Sequence, residues 1–342
     1  MSSRNRPGRP PTLEAVAQRA GVGRGTVSRV VNGAPGVSAK ARAAVEAAVA
    51  ELNYVPNPAA RSLVTSRTDS IALVIPESES RLASEPYFSA VIRGVSTELA
   101  ETDMQLLLIL VRDERELRRL TRFVGAHRVD GVLLVSVRQD DPLPALLEEL
   151  RIPTVLAGRR TPVEPLSHVH ADNLGGAAGA VRHLLDRGRT AIATITGPLD
   201  MDVGHSRLQG WRDAHVERLV RPDESLVATA DFTEEGGRAA MRDLLGRRPD
   251  LDAVFAASDV MAAGALTELR EHGRRVPEDV AVIGFDDSIV ARHTVPPLTS
   301  VGQPSEDIGR TITRLLLDEI KDPALPRRHL TLPTTLTCRE TT

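Results

Sequence analysis

From Ile71 to near the C-terminus, short apolar runs alternate with stretches of helical periodicity, and few folds accommodate that alternation. The runs are IALVI at 71–75, LLLILV at 106–111 and GVLLV at 131–135, with further strands expected at Thr154–Ala157, Ala191–Thr196, Ala253–Ala256 and Val280–Gly284. Helices are expected near 87–101 and 113–126, between the first three runs. Strands that alternate with helices give parallel sheets covered on both faces. There are too many strands for one small sheet, so two lobes with a cleft between them fit the length. Open sheets of this kind bind ligands beyond the carboxyl ends of their strands.

The first 68 residues read differently. They hold ten Lys and Arg against three acids (Glu14, Glu46 and Glu51), which leaves 33 basic and 43 acidic groups of the chain's 43 and 46 for the rest. A small basic head suits a polyanion that an acidic body repels. Behind a Thr12 cap, Leu13, Val16, Ala17 and Ala20 fall at helical spacing; Gly21 breaks the pattern. Val22, Val27, Val30 and Val31 resume it on a second short helix ending at Asn32 and Gly33, and a third begins after Ser38 with Ala41, Val45, Ala48, Val49 and Leu52 on one face. Two short helices joined by a glycine turn make a helix-turn-helix, and the third closes a minimal core. In NYVPNPAARSL, Asn57 can cap a short helix with Pro58 at its first position. About two turns are marginal in water, so this segment should fold only against something else.

The motif A-x-x-A-G-V-x-x-x-T-V-S-R-V-x-N over 17–32, then V-S-x-x-x-R and L-N-Y-x-P-N, resembles the head of the LacI/GalR family of transcriptional regulators. The resemblance continues through HLLDRG, RLQGW, DVMAAGA, VPEDVAVIGFDD and PPLTSV. It implies an all-α helix-turn-helix head and a two-lobed α/β sensor like a type I periplasmic binding protein. The chain then divides into a basic leader (1–11), a DNA-binding domain (12–56), a hinge helix and linker (57–70) and a sensor and dimerisation domain (71–342). The function implied is a sequence-specific repressor in the cytoplasm, homodimeric on a pseudo-palindromic operator in double-stranded DNA. A small polar metabolite, with sugars among the candidates, controls it from the cleft.

Carried over residue by residue, Arg24, Gly25 and Arg29 face bases; Thr26, Ser28, Asn32 and Ser38 lie near the backbone; and Asn57, Ala60 and Leu63 belong to the hinge, Leu63 as a minor-groove wedge. The effector residues implied are Tyr87, Phe88, Gly158, Arg159, Arg207, Phe232, Ser258 and Asp286. An arginine fork and a carboxylate can each grip neighbouring hydroxyls, and aromatic faces can cover a sugar's apolar side. The chain departs from the family at Gly23, where a phosphate-contacting serine is usual, and at Gly25, which has no side chain to read a base. It departs again at Ser258, where sugar-binding relatives often place Asn, and in the long segment PESESRLASEPYF. The effector and the direction of its action stay open at this point.

Other chemistries find less support. Gly204-His205-Ser206 begins like a nucleophile elbow, but Leu208 stands where a second glycine is needed. His168, His170 and Asp172 could share one side of a strand and touch a metal, yet no further ligand lies within sequence reach. Neither catalysis nor a cofactor is expected. The single Cys338 cannot form an internal disulfide. A transport-type solute-binding protein shares the two-lobed fold but would need an export signal, and MSSRNRPGRPPTLE has no apolar core for one. Arg6 and Arg9 flank Pro-Gly loosely as in a minor-groove hook, but a flexible basic tail with only non-specific phosphate attraction explains them better. No apolar heptads follow Thr335, so a dimer rather than a tetramer is expected.

Overall fold

The structure, a computed structural model, describes residues 11–31, 35–54 and 67–342, and these fall into two compact units, one within 1–68 and the other spanning 69–342. The leader arginines, Asn32 and the hinge residues Asn57, Ala60 and Leu63 lie outside the described residues.

In the first unit, helices Leu13–Ala20, Arg24–Val31 and Ala39–Leu52 pack around Val16, Ala17, Val27, Val30, Val45, Ala48 and Tyr54. The Thr12 hydroxyl caps the first helix by accepting from the Ala15 N–H at 3.3 Å, and Ser38 caps the third by accepting from Ala41 at 3.3 Å. Gly21 ends the first helix at φ +65°, a left-handed conformation that costs glycine least.

The second unit holds two six-stranded sheets. Chain order gives β1 (Ser70–Ile75), β2 (Gln105–Leu110), β3 (Gly131–Val135), β4 (Thr154–Ala157) and β5 (Ser167–Ala171) in the first. The second contains β6 (Ile192–Thr196), β7 (Val227–Thr229), β8 (Ala253–Ala256), β9 (Ala281–Asp286) and β10 (Thr299–Gly302). After them β11 (His329–Leu332) returns to the first sheet and β12 (Thr335–Thr337) to the second. The orders are β11-β5-β4-β3-β1-β2 and β12-β10-β9-β8-β6-β7, and every pairing is parallel except β10 with β12. The sequence runs at 71–75, 106–111 and 131–135 sit in β1, β2 and β3, and the expected helices near 87–101 and 113–126 appear as Pro86–Leu99 and Glu114–Gly125.

Because helix Asn173–Asp186 packs in the second lobe and helix Ser305–Lys321 in the first, the chain crosses between lobes three times: after β5, after β10 and between β11 and β12. Three crossings tether the two lobes to each other. The first lobe's core combines Ile71, Leu73, Phe88 and Val91 with Ile308, Ile312 and Leu316; the second is built on Trp211, Phe255, Phe285 and Met261. Among the described residues no helix is long and apolar enough to cross a membrane.

Candidate functional site

The first unit offers a surface. Arg24, Gly25 and Arg29 are exposed on helix Arg24–Val31, with Thr26 and Ser28 half-buried, while Val27 and Val30 turn into the core. A short amphipathic helix anchored by two valines thus displays its remaining positions to solvent. Ser38 is also exposed, its hydroxyl used as a helix cap. A Cβ at Gly23 or Gly25 would meet nothing within 4 Å, so the fold does not itself require glycine at either position.

The second unit offers a cleft between its lobes, about 800 Å³ of atom-free space counted out to its open mouth. Tyr87, Phe88, Gly158, Arg159, Arg207, Phe232 and Asp286 all line it. Ser258 does not: it is buried, and its hydroxyl caps helix Asp259–Glu271 by accepting from the Met261 N–H at 3.2 Å. A short hydroxyl in that position reaches its own helix before it reaches the cavity, whereas Asn173, at the start of another helix, does line the wall.

Arg207 is the centre of the polar wall. Its guanidinium, 3% exposed, donates to Asn173 Oδ1 at 2.9 Å and to the Ala257 carbonyl, lies 3.7 Å from Asp286 Oδ1 and stacks 3.6 Å from the Phe285 ring centroid. Stacking on an aromatic face holds the fork flat, as bidentate recognition requires. Burial pulls the arginine below its usual range, and Asp286 followed by Glu85 opposes that pull. Burial likewise pushes the Asp286 carboxyl well above the ordinary carboxylate range, against the nearby Arg207 charge. The Tyr87 phenol is raised by burial and then by Asp286.

Backbone strain gathers here as well. Ser136 (φ +64°), Phe232 (φ +63°) and Asp286 (φ +108°) are non-glycine residues with left-handed φ, and all three line the cleft. The Phe232 ring rests on Gly197, where a Cβ would stand 2.0 Å from the ring's Cζ; only glycine leaves room for that aromatic floor.

Contacts across the cleft clasp the lobes. Arg159 of the first lobe donates to Asp202 of the second at 2.9 Å, Arg138 pairs with Asp200, and the Gln139 N–H donates to the Asp200 carbonyl at 2.8 Å. Arg81 reaches the Asp231 carbonyl at 3.2 Å and covers the Phe232 ring at 5.1 Å.

Sequence reasoning missed Arg81, Glu85, Ser136, Asn173, Asp202 and Gln303, which also line the cleft. Gln303 donates to Asp286 Oδ1 at 2.6 Å from the second lobe crossing. One signal was available: the long link 76–85 holds four charged residues, Arg81 and Glu85 among them, ahead of the aromatic pair. Of the other sequence candidates, Ser206 lies within helix Asp202–Glu217 and donates to Asp202 at 3.3 Å; Asp172 caps helix Asn173–Asp186. His170 lines the cleft, its Nδ1 2.8 Å from the Ala171 carbonyl.

Comparison with known proteins bears on both units. Residues 12–57 match the model of the bacterial regulatory proteins of the lacI family, and residues 181–342 match that of a periplasmic binding protein-like domain. The HTH-type transcriptional regulator CelR of Thermobifida fusca is 51% identical over 334 residues, covering 97% of this chain and 98% of that protein. A solved CelR–cellobiose complex superposes with a TM-score of 0.79 at 49% identity, over 97% of this chain and 100% of that one. The lac repressor dimer bound to operator and an anti-inducer superposes at 0.86 with 29% identity, over 98% and 99%.

Proposed function

The chain belongs to the lacI family of bacterial regulatory proteins and is a DNA-binding transcriptional regulator controlled by a small effector; from that premise we propose that its effector is a neutral sugar, with cellobiose the first candidate, held by Arg207, Asp286, Tyr87, Phe88, Phe232 and Arg159. The observation that carries the reading is the cleft itself. A buried arginine fork, a carboxylate and aromatic faces converge there, in a chain 49% identical over nearly its full length to a regulator solved with cellobiose. Hydroxyl pairs suit the fork and the carboxylate, and the aromatic rings suit the apolar face of a pyranose.

In this reading the helix Arg24–Val31 enters the major groove of a pseudo-palindromic operator, one copy per subunit of a homodimer in the cytoplasm. Arg24 and Arg29 face bases, and Gly25, with open space around it, lets the backbone come close. The hinge segment folds on DNA, with Leu63 as the wedge in the minor groove. A sugar that alters how the lobes clasp one another changes the geometry offered to the two hinges, which couples the cleft to the operator.

The test is an operator recovered by selection from random DNA, followed by binding titrations with cellobiose, glucose and ribose. A two-fold symmetric motif whose occupancy changes with one sugar is expected. An asymmetric motif would falsify the dimeric reading, and indifference to all three sugars overturns the effector assignment.

A further inference from the structure

Two buried polar atoms beside the cleft have no hydrogen-bond partner within the protein. Arg81 Nε and Glu85 Oε1 are both buried without a hydrogen bond, and both side chains line the cavity. One is a donor and the other an acceptor, and both come from the long link between β1 and helix Pro86–Leu99.

Neither residue is idle by accident of exposure. Arg81 is pinned by Glu77 at 3.5 Å, the Asp231 carbonyl at 3.2 Å and the Phe232 ring, and Glu77 in turn accepts from the Ser136 hydroxyl at 2.7 Å. The guanidinium is therefore held by Nη1 and by its face, and the buried Nε is left without a partner. Glu85 is 5% exposed at the N-cap position of helix Pro86–Leu99, yet its side chain makes no capping bond. The Tyr87 N–H in the first turn favours the ionised carboxyl, but Oε1 itself finds no partner. Burial pushes its carboxyl up against the opposing charges of Arg81 and Arg207, so the fold bears this group at a cost.

A hydroxyl is both donor and acceptor, so one hydroxyl can serve an N–H and a carboxyl oxygen together. Charge decides what kind of molecule carries it. Each arginine on the cleft wall already has an acid: Arg81 has Glu77, Arg159 has Asp202 and Arg207 has Asp286. An anionic ligand would find no spare cation and would face Glu85. We infer that Arg81 and Glu85 form a second hydroxyl-binding pair of the effector cleft, one that selects neutral polyols over sugar acids and sugar phosphates.

This rests on the sugar reading above, and the experiment separates the two. Calorimetry compares the full-length protein with its Glu85→Gln and Arg81→Lys variants, using cellobiose, cellobionate and a set of mono-deoxy cellobioses. The wild type is expected to bind cellobiose at least tenfold more tightly than cellobionate. Each variant should lose about tenfold for cellobiose, and the double variant should lose less than the product of the two, because one hydroxyl is shared. One deoxy analogue should bind Glu85→Gln as well as it binds the wild type. Glu98→Gln, on a side chain paired with Arg314 away from the cleft, serves as the unaffected control. Should Arg81→Lys fail to melt cooperatively, the near-isosteric Glu85→Gln decides. If the wild type binds cellobiose and Glu85→Gln binds it within threefold, the pairing is overturned and the sugar reading stands; if the wild type binds none of these sugars, both fall.

Discussion

The two units of this chain treat charge in opposite ways. In the first, cations sit in water: Arg24 pairs with Glu14 at 3.0 Å, but the two side chains are 74% and 60% exposed. A pair so solvated contributes little and is easily exchanged for another partner. In the second unit Arg207 and Asp286 are almost wholly enclosed; Arg207 donates to Asn173 Oδ1 and the Ala257 carbonyl, Asp286 accepts from Gln303, and these bonds hold their geometry. Exposed cations suit a flexible, highly charged partner whose counterions leave on binding. Enclosed, mutually neutralised charges suit a small neutral molecule that must be recognised by shape and hydroxyl placement. The difference teaches that one chain can keep two kinds of recognition apart by burial alone.

Salt should separate them most sharply. Operator affinity is expected to fall about 10³-fold between 50 and 200 mM salt if some six phosphates are contacted, whereas sugar affinity should move by less than about twofold. Parallel titrations at both salt concentrations check this, and an equally steep slope for the sugar would erase the contrast.

Next in size is Arg207→Ala, which leaves Asp286 and Glu85 without their shared cation. Sugar affinity should drop by about 3 kcal/mol, much of it the penalty for unpaired buried acids. Calorimetry reads the loss. A change below about 0.5 kcal/mol, the scale of a solvated pair, would put the cleft in the same class as the head.

The third concerns pH. Glu85 is held above its ordinary value of 4.5 by burial. Between that value and the raised folded one, the native state binds the extra proton, so the wild type loses stability as pH rises through this window. Gln does not titrate. Glu85→Gln should therefore melt higher than the sugar-free wild type at pH 8, by about 1 kcal/mol, with the gap closing toward pH 5. A gap that widens on acidification reverses the sign and removes the argument that the carboxyl is a buried burden.

Smallest is Gly25→Ala. Because a Cβ there meets nothing, the helix should gain about 0.5–1 kcal/mol from lost chain entropy. Thermal unfolding of the head measures the gain. A loss of stability would mean that the glycine serves the fold and not the close approach to DNA.

The body's fold was legible where apolar runs were long. IALVI and GVLLV are central strands whose hydrophobicity is the direct consequence of burial on both faces, whereas LLLILV, equally apolar, forms the half-exposed edge strand β2. SHVHA (β5) and HLTL (β11) gave no such signal. β11 lies at a sheet edge with an exposed face, and β5 beside it carries His168, whose ring stacks on His329 with centroids 4.4 Å apart. Seven of the eight cleft residues named from motif resemblance line the cavity, while Ser258 is turned away by its own capping bond.

What the sequence determined by itself was local: helix periodicity, caps at Thr12 and Ser38, the glycine turn, strand runs, and the motifs that align the chain with a family. These depend on neighbours within a few residues, and the order of the letters records them. Only the tertiary structure decided which side chains share the cleft. Arg81 meets Phe232 across 151 positions of chain and Glu85 stands near Arg207 across 122, in a space created by three lobe crossings. Whether a buried polar atom finds a partner depends on packing between such distant segments, so the unpaired Nε of Arg81 and Oε1 of Glu85 could be seen only once the chain was folded.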